Sequence, residues 1–147
     1  MLRKILLIII CSAILLPSYS HADPYSHFCG SNPVISTKKD DGTKRGLFIT
    51  QQEIETAPKW SPNLGEPHLS ISTIYTLVKE WAKTEYIRYE GIVVTQIALQ
   101  PYRCSSVKDR WYYIVDFNPV FDGNQVYAGG HWAAVLMDGT IIGAKKY

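Results

Sequence analysis

The sequence predicts an α+β domain in which one main helix packs on a four-stranded antiparallel meander. Residues 70–88 carry apolar residues at the three- and four-residue spacing of an amphipathic helix. Four later segments, 92–100, 110–118, 131–137 and 140–145, are rich in β-branched and aromatic residues and are separated by turn-forming residues. Because such a sheet buries one face against its helix, we expect the other face to be at least partly open.

The predicted helix begins after Ser70, a residue type that favours helix N-termini. It should end before Gly91. One side of it forms an apolar stripe that needs a surface to cover, and the opposite side is charged. The stripe consists of Ile71, Ile74, Tyr75, Val78, Trp81 and Ala82.

Alternation defines the predicted strands. In the segment 110–118, four apolar residues that would face the helix alternate with Tyr112, Ile114 and Asp116. Asp138-Gly139 is a strong signal for a two-residue hairpin between the last two strands. Tyr112 and Asp116 should therefore lie on the open face of the sheet.

The first 22 residues have the three parts of a secretory signal peptide. Arg3 and Lys4 supply its positive charge, Leu6 to Leu16 form its apolar region, and Ser20-His21-Ala22 offers a cleavage site. The apolar run is shorter than the roughly 20 residues that span a bilayer. We therefore expect cleavage, export to the periplasm or the medium, and no membrane span afterwards.

Cleavage would leave 125 residues, a usual size for one domain. We divide this domain into a loop-rich segment, 23–68, and a helix-plus-sheet core, 69–147. Without Arg3 and Lys4, the 13 remaining basic residues balance the 13 acidic ones, which argues against nucleic acid as a partner. The pair Lys44-Arg45 is interpreted as part of a solvated loop.

Two cysteines, Cys29 and Cys104, remain after the predicted cleavage. In an oxidising compartment, an isolated pair most simply forms one disulfide, which would tie the N-terminal segment to the core. A catalytic or metal-binding thiol is the alternative. His27 beside Cys29 supplies at most two ligands, whereas a structural zinc site usually has four.

The chain resembles the small exported domains of the PepSY and cystatin-like type. The resemblance covers about residues 69–144 and rests on Trp111 to Phe117, with its aromatic alternation, and on Val135 to Ile142, with its Asp-Gly turn. The second stretch also resembles the "MDGT" hairpin of uncharacterised exported bacterial proteins. A PepSY resemblance implies a non-catalytic exported module, linked in some members to protease inhibition. A cystatin resemblance would imply inhibition through a Gln-Val-Val-Ala-Gly loop, which this sequence lacks.

No recognisable catalytic set, metal site or cofactor motif is visible in the sequence. We expect a non-catalytic binding or inhibitory module that meets a protein or glycan of the cell envelope through an aromatic sheet face or a strand edge. The candidate binding residues are Tyr112, Asp116, Tyr127 and His131. Two alternatives remain: a small hydrolase built around His131, Asp116 and a hydroxyl group, and an accessory component of an envelope assembly.

Overall fold

A computed structural model describes residues 29–104 and 106–147. The predicted signal peptide lies outside these residues, and export stays a prediction. Within the described part of the chain, no helix is both long enough and apolar enough to cross a membrane.

The main helix, α2, spans Ile71–Glu85. Its N-terminus forms as predicted, because the side chain of Ser70 accepts a hydrogen bond from the backbone N–H of Thr73. Half of the predicted stripe is fully buried, at Ile74, Val78 and Ala82, whereas Ile71 and Tyr75 are exposed. The helix ends three residues earlier than 88, since Tyr86 leaves the helical conformation with φ −115° and ψ 39°.

The α+β class is confirmed, but the prediction of a simple four-stranded sheet is wrong. The main sheet has the order β3 (Gly91–Pro101), β4 (Trp111–Phe121), β6 (Trp132–Leu136) and β7 (Ile141–Gly143). A fifth strand, β5 (Asn124–Gln125), pairs with the end of β4. It can do so because Asp122 and Gly123 both have positive φ, which turns the chain back sharply.

A second sheet has three strands, two of which lie in the segment predicted to be loop-rich. It joins β1 (Ile35–Lys38), β2 (Lys44–Leu47) and β8 (Lys145–Lys146). The short helix α1 (Gln51–Thr56) follows β2. The predicted last strand, 140–145, is therefore divided between two sheets, because Ala144 lies between the end of β7 and the start of β8.

Both faces of the main sheet carry packed side chains, and the face opposite α2 is open only in part, as at the exposed Gln96. On one face, α2 packs against side chains such as Tyr113, Val115 and Val135. On the other face, Leu47 and Ile54 of the N-terminal segment pack against the sheet. The side chains of the main sheet that complete this second core are Tyr112, Ile114, Ala134, Leu136 and Ile142.

The disulfide between Cys29 and Cys104 is confirmed. The Cα atoms of the two residues are 5.5 Å apart, a usual separation for a bonded pair. Nearby, the hydroxyl of Tyr102 donates to the carbonyl of Ile49 at 3.0 Å in a buried position. The disulfide and this hydrogen bond fasten the N-terminal segment onto the second face of the sheet.

Candidate functional site

A cleft of about 460 Å³ opens where α2 ends beside the junction of β7 and β8. We call it the Tyr86 cleft. The chain reversal after α2 supplies Tyr86 and Arg88, strand β2 supplies Arg45, and the segment before β6 supplies His131. Lys145 closes the side formed by β8. The cleft therefore collects side chains from segments that are far apart in the sequence.

Tyr86 and His131 form the inner wall of the cleft. The hydroxyl oxygen of Tyr86 lies 3.2 Å from Nδ1 of His131, within hydrogen-bond distance. The two rings meet nearly edge to face at 5.6 Å, and Phe117 meets Tyr86 edge to face at 5.2 Å. Trp81 approaches Tyr86 from the helix at 5.9 Å. This aromatic cluster fixes the position of the hydroxyl and the imidazole.

Arg45 is anchored at the wall of the cleft. Its Nη2 atom donates to the carbonyl oxygen of Ala144 at 2.8 Å, which ties β2 to the link between β7 and β8. Its Nε atom is buried and has no hydrogen-bond acceptor within the described residues. Buried donors are nearly always paired, because an unpaired one has lost its bonds to water without replacement. Arg45 therefore lines the cleft with a guanidinium whose Nε donor is buried and has no acceptor among the described residues.

Burial and, after it, two neighbouring positive charges disfavour protonation of His131. The pKa of His131 is lowered to about 4, first by burial and then by the charges of Arg45 and Lys39. The imidazole is therefore neutral at neutral pH. Burial raises the pKa of Tyr86, and the charge of Arg45 together with a side-chain hydrogen bond between Arg45 and Tyr86 offsets part of that rise. Tyr86 is accordingly a neutral hydrogen-bonding group.

Two exposed cations complete the rim. Arg88 and Lys145 both line the cleft, and the one acid among the described lining residues is Glu85. The ammonium group of Lys145 lies 5.1 Å from the centre of the Phe48 ring, a cation–π distance that restrains it. Together with Arg45, these groups make the cleft net positive and suited to an anionic ligand.

The structure does not bring the four predicted binding residues together. His131 lies in the Tyr86 cleft, whereas Asp116 pairs in register with Trp132, so its side chain projects from the opposite face of the sheet. Burial raises the pKa of Asp116, partly offset by a hydrogen bond from Trp132. Tyr127 is 80% exposed on a loop. A binding role for these residues stays a prediction.

Tyr112 is only 4% exposed, which corrects its expected position on an open face. It packs in the second core, and burial raises its pKa to about 12. It also borders a separate cavity of about 530 Å³ near Cys29 and Tyr102. Because the N-terminal segment covers Tyr112, this residue cannot contribute to the predicted aromatic sheet face that would meet a partner.

Sequence reasoning missed Arg45 and Tyr86. Arg45 was assigned to a solvated loop, and Tyr86 was assigned to the last turn of the helix. The one available signal was the run Tyr86-Ile87-Arg88-Tyr89, which places aromatic and basic residues where a helix ends. In the described part of the chain, no group of three or more His, Cys, Asp or Glu residues is placed to hold a metal ion.

Comparisons of the chain with protein-family models, with curated proteins and with solved structures found no match. The resemblance to PepSY and cystatin-like domains therefore stays a prediction. Inferences about function rest on the geometry of the cleft.

Proposed function

We propose that this protein is a non-catalytic binding module that holds a carboxylate-bearing ligand in the Tyr86 cleft. The volume of about 460 Å³ suits a small molecule or the end of a larger one. The observation that carries the proposal is Arg45, which lines a cleft with more cations than acids and whose buried Nε donor has no acceptor in the described residues.

The chemistry of the walls favours a carboxylate attached to an apolar body. An arginine donor matches a carboxylate oxygen and forms a charge-assisted hydrogen bond, stronger than a bond between neutral groups. Arg88 and Lys145 would add long-range attraction. The rings of Trp81 and Tyr86 would contact the apolar part of the ligand.

The same geometry argues against the hydrolase alternative. A general base needs a pKa near the working pH and a partner that orients it, whereas the pKa of His131 is lowered to about 4 and its neighbour is a phenol. The acid proposed to assist it, Asp116, projects from the other face of the sheet. His131 is instead suited to hold Tyr86 in place as a neutral hydrogen-bond partner.

Ligand-observed NMR with a matched series of probes tests the proposal. The probes are 3-phenylpropionate, its neutral amide and the corresponding amine, with glucuronate as an acidic sugar. We expect the aromatic acid to bind with a dissociation constant of about 1 mM, from a ligand of this size. The amide should bind roughly tenfold more weakly, because it loses the charge-assisted hydrogen bond. Stronger binding of glucuronate would identify an acidic glycan as the ligand source.

Variants of the rim provide the control. Arg88→Gln and Lys145→Gln change exposed residues of the cleft and should weaken binding of the acid two- to fivefold each, an estimate of roughly 0.5–1 kcal/mol for a rim charge. Arg103→Gln removes an exposed cation that lines the separate cavity and should leave binding unchanged. Equal binding of the acid and the amide, or an equal response of all three variants, would refute the proposal.

A further inference from the structure

Strand β3 forms one edge of the main sheet and is unusual in its composition. It spans Gly91–Pro101, eleven residues, and pairs on one side with β4. None of its side chains carries a charge. Natural edge strands usually carry charges, prolines or coverings that prevent pairing with another chain. The features of β3 that would hinder such pairing are a bulge between Val94 and Gln96 and the terminal Pro101.

The register of the sheet shows which backbone groups of β3 point outward. The N–H of Phe117 donates to the carbonyl of His131, so the backbone groups of Phe117 and of alternate β4 residues face β6. Val115 and Tyr113 belong to this set. Their partners in β3 are Ile97 and Leu99, which therefore point their N–H and C=O groups away from β4.

The other strand edges in the described residues are blunted. Strand β7 has only three residues. In the second sheet, Lys38 ends β1, and β8 consists of Lys145 and Lys146. These short or charged strands follow the usual protection of sheet edges, whereas the eleven-residue β3 has no charge and only its bulge and Pro101.

We propose that the β3 edge pairs with β3 of a second copy of this chain, antiparallel about Ala98. Ile97 and Leu99 of one copy would then exchange backbone hydrogen bonds with Leu99 and Ile97 of the other. Two uncharged strands meet without the repulsion that like charges across a sheet produce. The pairing would join the two main sheets into one continuous sheet and would leave the Tyr86 cleft of each copy unchanged.

Variants with opposite charges at position 98 test the pairing, because Ala98 of one copy would lie directly opposite Ala98 of the other. Light scattering during size-exclusion chromatography of the purified protein should show a dimer. Ala98→Lys or Ala98→Glu alone should raise the dissociation constant about fivefold, and an equal mixture of the two should restore it. Gln52→Lys, at an exposed position on α1, should have no effect.

Hydrogen exchange of the unmodified protein gives a second readout that needs no variant. Ile97 and Leu99 amides should be protected at high protein concentration and should exchange rapidly after dilution. Ala98 and Gln100 amides, which face β4, should be protected at both concentrations. If the protein stays monomeric at all concentrations up to about 1 mM, the dissociation constant lies above that value, which is weak for any interface. That result would overturn the proposal. If protection of the Ile97 amide does not depend on protein concentration, the proposal is also overturned. That result would indicate that the same chain covers the β3 edge.

Discussion

Acidification should destabilise this protein through His131. In an unfolded chain a histidine binds its proton near pH 6.5, whereas the folded protein binds it only near pH 4. Between these values the unfolded state holds more protons, so the free energy of unfolding falls as the pH falls from about 6.5 to about 4. Below about 4 both states are protonated at this site, and the loss ends.

The size of the effect follows from the two pKa values. The difference between 6.5 and about 4 corresponds to at most about 3 kcal/mol. The imidazole borders an open cleft, where solvent screens part of the interaction with Arg45 and Lys39, so we expect a loss of about 1–2 kcal/mol. Burial raises the pKa of Asp116, which acts in the opposite direction because the folded state then binds its proton more readily.

Urea unfolding at a series of pH values from 7.5 to 4 measures this loss. The wild type is compared with His131→Gln, so that Asp116 contributes equally to both and cancels. His68→Gln, which removes an exposed histidine before α2, serves as the matched control. The wild type and His68→Gln should lose about 1–2 kcal/mol more than His131→Gln over this range. An identical pH dependence of all three proteins would refute the assignment.

Two further predictions concern the packing. Replacing Cys29 and Cys104 with alanine opens a link across 75 residues and should lower the free energy of unfolding by about 4 kcal/mol in the chain-entropy model, measured by urea unfolding. A loss below about 1 kcal/mol, well under the usual range, would contradict that account. Gly143→Ala would drive a methyl group against Trp81 and should cost about 1–3 kcal/mol, whereas Gly91→Ala, with no neighbour within 4 Å, is the control. Equal stability of the two variants would argue against the packing.

The helix and the main strands were predictable because their signals are local. Apolar spacing in α2 and alternation in β4 reflect contacts that each element makes along its whole length. The second sheet was missed because β1 and β2 have only four residues each and most of these are polar or charged. Strand β2 also pairs with β8, about a hundred residues later in the chain, a contact that no local pattern records.

Of the residues that line the cleft, only His131 was among the predicted binding residues, for a related reason. His131 is a histidine at the start of a predicted strand, whereas Arg45 acquires its position through a hydrogen bond to Ala144, 99 residues away. Tyr86 becomes a cleft residue only because α2 ends there. The burial of Tyr112 was not predicted because the segment that covers it has no periodic pattern that would assign it to the core.

The NMR signal of the Arg45 Nε–H group tests the central proposal most directly. Titration of ¹⁵N-labelled protein with 3-phenylpropionate should shift this signal and saturate, while the signal of Arg103 stays in place. The neutral amide should produce a much smaller shift of Arg45 at equal concentration. A signal of Arg45 that does not move at saturating acid, or that moves equally with the amide, would contradict the proposal that its buried donor binds a carboxylate.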